Sequence, residues 1–315
     1  MSGDRTRPEP AGEGAALEVV EYTDPLCPWA WGSEPVFRAV RDALGDRARW
    51  RRVHAILFDH DDDPPPDPAA ETAWYARHVA GISGHTLAPY PVRLLRVAAE
   101  SWPASLVAKA AELQGAEVAD RVLRRLRETV FVLGDPADTP ARALAAVRGV
   151  PGLDLRRLEA DAASDGTRER VRADRAEARR PVPEVLSGTG GAEGSPHPGT
   201  AKETSDGELR YALPTLLFRS PAGRRVVPGW RPYGAYAEAV EALLSGPAPE
   251  PRRLEPAEAL ERHRSLTEPE RRWSAPGSWP PPGAVRVETG NGPLWLHPDE
   301  AATHPAATDR SETGH

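Results

Sequence analysis

Asp24-Pro25-Leu26-Cys27-Pro28-Trp29-Ala30-Trp31 joins a strand-like run to a helix-like run and holds the one cysteine of this 315-residue chain. Upstream, Leu17-Glu18-Val19-Val20-Glu21-Tyr22 is β-branched and aromatic enough for a short strand. Downstream, Ser33 to Leu44 carries Val36, Phe37, Val40 and Leu44 at helical spacing. The thiol therefore falls at a helix N-terminus, beside unpaired backbone N–H groups and the positive end of the macrodipole. Both favour thiolate over thiol, so the position reads as a low-pKa nucleophile. The competing reading is a small, buried and inert side chain. Tyr22, Thr23 and Asp24 read as the end of the strand and the cap of the helix.

Composition narrows the classes. Forty Lys and Arg against 47 Asp and Glu give a net charge of −7, which offers no support for nucleic-acid binding. One cysteine excludes an intramolecular disulfide. A hydrophobic content of 39% with 35 prolines implies sizeable unstructured parts. Met1 to Gly14 is polar and lacks a signal-peptide core, and no run approaches the ~18 apolar residues of a membrane span. The expectation is a cytoplasmic protein without membrane contact.

Further along, residues 49–58 read as a second strand, with Val53, Ala55 and Leu57 on one side. His60-Asp61-Asp62-Asp63 and the prolines after it read as an acidic loop rather than a metal site, since adjacent side chains do not converge. Helices are expected over 68–80 with Trp74, Tyr75 and Val79 inward, from a Ser101 N-cap with Leu106, Ala110 and Leu113 on one face, along Val118–Val130, after Thr139-Pro140, and near 165–179. Arg121, Arg124, Arg125 and Arg127 read as a solvated helix face. Gly188 to Asp206 reads as a flexible connection, and its Ser187-Gly188-Thr189-Gly190-Gly191 lacks the Lys of a phosphate loop. A helix near 256–265 and a hairpin near 284–296, turning at Asn291-Gly292, are expected in the proline-rich remainder. Residues 1–14 and most of 298–315 are expected to lack regular structure. His54, His78 and His85 have no visible partner.

The Cys27-Pro28-Trp29 run, Pro35 eight residues after the cysteine, and the distant Tyr211-Ala212-Leu213-Pro214-Thr215-Leu216-Leu217-Phe218 segment together resemble the DsbA/FrnE-like branch of the thioredoxin superfamily, which includes the kappa-class glutathione transferases and hydroxychromene carboxylate isomerases. The resemblance implies an α/β thioredoxin fold with an inserted helical domain and a partly disordered C-terminal tail. On this reading 1–16 is a disordered leader, 17–60 and 207–246 form the split thioredoxin-like domain, 64–186 is the helical insertion, 187–206 a flexible loop and 247–315 a Pro-rich extension. It implies Cys27 as the catalytic residue, with Pro28, Trp29, Leu213 and Pro214 binding substrate and Leu213–Pro214 as the candidate cis bond.

Where the dithiol enzymes of that branch carry a second cysteine, this chain has Ala30. A dithiol cycle needs that resolving thiol. The resemblance then implies a monothiol oxidoreductase, transferase or isomerase that acts on a small thiol or disulfide, or on a protein substrate. Mycothiol or glutathione would be its co-substrate, with no tightly bound cofactor and no metal. The alternative is a redox-inactive adaptor that uses the same groove for a partner. A third idea, a degraded winged-helix element over 255–296, has too few basic residues for DNA.

Overall fold

β1 (Leu17–Thr23) is the central strand around which the chain is wound, and its side chains alternate between two buried faces. The structure, a computed structural model, describes residues 16–59, 66–188, 195–244, 246–247 and 250–312. Residues 1–15 of the expected leader, and 60–65 of the expected acidic loop, lie outside the described residues. α1 (Pro28–Leu44) follows, with Pro28 in its first turn where a missing N–H costs nothing, and then β2 (Ala48–His54) pairs parallel to β1 from Leu17↔Ala48 to Thr23↔His54.

The insertion supplies α2 (Pro68–Thr86), α3 (Trp102–Ala111), α4 (Ala116–Phe131), α5 (Pro140–Ala146), α6 (Leu155–Ala163), α7 (Asp165–Ala178) and α8 (Pro183–Leu186). Asp67, Thr139, Asp154 and Ser164 cap four of these with side-chain oxygens that accept backbone N–H groups, which fixes where each helix starts. A short ladder, β3 (Lys202–Glu203) with β4 (Leu209–Arg210), precedes β5 (Thr215–Ser220) and β6 (Gly223–Pro228). β5 runs antiparallel to β1 and β6 antiparallel to β5, giving the strand order β2-β1-β5-β6.

α9 (Tyr233–Leu244) and α1 cover one sheet face, burying Leu17, Val19, Phe37, Phe218 and Tyr236. Fully burying such side chains stabilises by roughly 1.5–3 kcal/mol each. The other face, with Val20, Tyr22, Val53 and Leu217, packs under Ala178 at the end of α7 and Val185 of α8. Mixed α/β architecture with a thioredoxin-like sheet and a helical insertion is therefore observed.

The C-terminal region holds α10 (Pro256–His263), β7 (Ser265–Thr267), α11 (Glu268–Ser274), β8 (Val285–Thr289), β9 (Gly292–Leu296), α12 (Pro298–Ala301) and α13 (Pro305–Glu312). β7, β9 and β8 form a separate antiparallel sheet. Val287, Leu294, Leu296 and Ala306 enter the same core as α2–α6, so this region packs onto the insertion. At the hairpin turn a Cβ on Gly290 would come within 2.1 Å of the Tyr90 ring, and only glycine fits there.

Several expectations are corrected. Residues 298–315 contain α12 and α13, and Ala306 and the wholly buried His304 lie inside. Trp74 is 55% exposed while Tyr75 and Val79 point inward, because α2 turns one narrow side to the core. On α3 the buried stripe is Ala104, Val107, Ala108, Ala110 and Ala111, so Ala110 faces the core as expected while Leu106 is half-buried and Leu113, beyond the helix, is exposed. The arginines of α4 are not solvated: Arg124, Arg125 and Arg127 are buried in carboxylate partners. No helix among the described residues is long and apolar enough to cross a membrane.

Candidate functional site

The Asp24–Trp31 loop is held by one buried carboxylate. Asp24 accepts hydrogen bonds from the Leu26 N–H (2.8 Å), the Leu57 N–H (2.8 Å) and the Ser101 hydroxyl (3.0 Å). It thus ties β1 to the start of the insertion rather than capping α1, whose N-cap residue is Cys27. Burial outweighs these hydrogen bonds and pushes the Asp24 carboxyl up to about 6. Ser101 is the N-cap residue of α3 as expected, but its hydroxyl makes no bond to the helix and goes to Asp24 and the Phe58 N–H.

Cys27 is 3% exposed and its thiol donates to the Leu213 carbonyl at 3.8 Å. The expectation of a lowered pKa is reversed. Burial pushes the thiol up to about 11, the charge of Asp24 adds to that, and the N–H groups of Ala30 and Trp29 lower it only in part. A helix N-terminus favours thiolate, but a low-dielectric cluster of Val20, Tyr22, Ala30 and Leu213 penalises the charge more. Ala30 is fully buried one turn along.

The structure brings the residues singled out in the sequence together. Pro28 opens α1, and the Leu213–Pro214 bond is cis, with the Pro214 carbonyl accepting from the Gly229 N–H at 2.7 Å. Trp29 meets the His197 ring edge to face at 5.0 Å. Trp31 packs on Phe131 and donates its indole N–H to the Pro89 carbonyl at 2.7 Å.

His197 is the residue sequence reasoning missed. It lies in the stretch expected to be flexible, yet it is buried and its Nε2 donates to the same Leu213 carbonyl at 3.1 Å. Nδ1 accepts from the Gly199 N–H, and a Cβ on Gly229 would strike the ring at 2.3 Å. Burial, and then the nearby Arg231, lower its pKa to about 4, so the ring is neutral at pH 7. With both nitrogens committed to backbone, His197 is not a base for the thiol. Only the Ser195-Pro196-His197-Pro198-Gly199 run, a histidine fixed between prolines, signalled it.

No group of three or more His, Cys, Asp or Glu among the described residues could hold a metal. The sulfur has an acceptor in the Leu213 carbonyl, but no second thiol in the chain, no open access and, among the described residues, no base bonded to it.

The family model described as thioredoxin matches residues 21–180, which takes in the cysteine loop and the whole run of helices to α7. The chain belongs to the thioredoxin family. Among curated relatives of this thioredoxin-family chain is a protein named ClpXP adapter protein SpxH from Shouchella clausii, 32% identical over 161 residues. A second of that name, from Halalkalibacterium halodurans, is 29% identical over 163 residues. The alignments cover 50% of this chain and 52% and 53% of those proteins, so the chain spans about half the length of the curated relatives it matches. A solved structure titled a putative protein disulfide isomerase, from Nitrosomonas europaea, superposes with a TM-score of 0.55 at 16% identity, over 73% of this chain and 98% of that one. That likeness is one of fold alone.

Proposed function

We propose that this thioredoxin-family protein is an adapter: a binding protein whose fold is that of thiol oxidoreductases and whose own thiol is silent. The observation that carries the reading is the state of Cys27, a solitary thiol that is 3% exposed, pushed up to about 11 and engaged with Leu213. A thiol exchanges as thiolate and needs access, and release of the product needs a second thiol. Two curated relatives are named ClpXP adapter proteins, and that supports ClpXP as the partner in this reading. An adapter of that kind would work in the cytoplasm, which is part of the same proposal.

The test measures binding of the purified chain to the cognate ClpX by biolayer interferometry, beside Cys27→Ser. Saturable binding that is equal for both proteins supports a thiol-independent adapter. Absence of binding, or binding lost with the thiol, removes it.

One observation favours a second reading. Cys27 sits at the N-cap of α1 with the Trp29 and Ala30 N–H groups directed at its sulfur, the geometry of a monothiol site. In that reading the Cys27 thiolate attacks oxidised glutathione or mycothiol disulfide, forming a mixed disulfide and releasing one thiolate. Intact mass after incubation with either disulfide tests it: a stoichiometric adduct on the folded chain would displace the adapter reading.

A further inference from the structure

Away from the thiol, α2 and the irregular segment that follows it enclose a groove of about 600 Å³. Ala69, Ala73 and Ala76 of α2 make one wall, Phe131 lies at its base, and Val92 and Leu95 make the other wall. None of Cys27, Trp29, Leu213 and Pro214 lines it. Val92 is 77% exposed and Leu95 53%, so two large aliphatic side chains stand in water on its rim. Apolar surface grouped around a concavity marks a place where another molecule binds.

Two further features say what kind of molecule. Between Val92 and Ala98 only Leu95 donates its N–H in a hydrogen bond, to the Gly134 carbonyl, among the described residues. The backbone beside the groove is therefore open to pairing with an extended chain. Arg93 also lines the groove and is exposed, with no ion pair or hydrogen bond among the described residues. Its neighbour Arg96, in contrast, is held by Asp135 and Asp138. A compact ligand filling the groove would leave Val92 wet and this backbone unpaired; an extended segment covers both.

We infer that this groove docks an extended segment of a partner protein that carries aliphatic side chains next to a carboxylate. The aliphatic side chains lie between the alanine wall and Val92–Leu95, the main chain pairs with the 92–98 backbone, and Arg93 meets the carboxylate. The inference deepens the adapter reading and rests on it for the partner's role, but docking is measured without the protease.

The experiment is fluorescence anisotropy of the full chain with a fluorescein-labelled peptide Ser-Val-Leu-Glu-Val-Leu-Ser and its Lys-for-Glu counterpart. The Glu peptide is expected to bind at least ~10-fold tighter, a difference of about 1.4 kcal/mol. Arg93→Glu should invert that order. Val92→Asp combined with Leu95→Asp should lose at least ~10-fold with an unchanged urea midpoint, since both side chains are exposed. Cys27→Ser should bind as the parent does. Equal affinity for the two peptides, absence of saturable binding, or full binding by the double variant would overturn the inference. So would a dimer, seen by sedimentation, that the double variant dissociates, because a second copy would then own the groove. Peptide binding without any ClpX binding would remove the adapter reading alone.

Discussion

The two ends of α1 are opposite environments. At its N-terminus Cys27 lies among Val20, Tyr22, Ala30 and Leu213, with the Leu213 carbonyl and the Trp29 and Ala30 N–H groups for partners. From its second turn on, Glu34, Arg38 and Arg41 join a buried lattice of charge. Arg127 of α4 bonds Glu34, Glu21 (3.2 Å) and the Thr23 hydroxyl (2.8 Å), and Arg52 reaches Glu21 and Asp120. Arg124 grips Glu270 with two hydrogen bonds (2.9 and 3.0 Å), stacks on Trp31 and bonds Glu128, which also accepts from Ser265 and His304. Burial resists the ionisation of Glu128, but Arg124, and then His304 and Ser265, overcome it and hold the carboxyl well below its usual range. Buried charge in this molecule joins sheet, insertion and C-terminal region. It does not serve the sulfur.

That contrast can be broken from either side. Glu128→Leu leaves Arg124 and His304 short of a buried partner and should cost about 3–5 kcal/mol in urea unfolding. A loss under ~1 kcal/mol would mean the lattice carries no docking energy.

His197 gives a smaller effect with a defined pH window. Its pKa falls from 6.5 to about 4 on folding, so its contribution is complete above pH 6.5 and is lost as pH falls through about 4. That loss is about 3 kcal/mol. His197→Gln should show correspondingly less change in urea midpoint between pH 7 and 4, and an unaltered slope would refute the buried neutral ring.

Next comes the thiol. A shift from 9.0 to about 11 lowers the thiolate fraction near neutrality by ~100-fold. Iodoacetamide should therefore modify folded Cys27 at least ~100-fold more slowly than the unfolded chain, with the rate climbing until pH approaches 11. Fast, pH-flat modification would place the thiolate back in the site. At the small end, Arg172 and Glu169 pair in solvent on α7, 57% and 67% exposed. Arg172→Ala should shift stability by no more than ~0.5 kcal/mol, which calibrates the buried pairs against a screened one.

Much of the frame was legible in the chain. The β1–α1 junction, the helix after the Thr139 cap and the 284–296 hairpin follow from local chemistry: alternation, helical period, caps and turn residues; the cis Leu213–Pro214 bond ahead of β5 was legible only through the family resemblance. The α4 arginines were misread because a run of charge is locally indistinguishable from a solvated face. The hint was elsewhere, in Glu21, which alternates in register with Leu17 and Val19 on a central strand and must face inward. His197 and the tail were misread because proline-rich sequence gives no period, while their order comes from surfaces supplied by distant segments.

By itself, then, the sequence determined that the chain has one thiol and that this thiol starts a helix after a strand. Those are facts of covalent order and local propensity. Only the tertiary structure decided that the thiol is buried and pushed up, that His197 shares its carbonyl, and that the arginines of α4 are internal. Dielectric and charge pairing depend on which residues meet across more than a hundred positions of chain, and no local pattern encodes that.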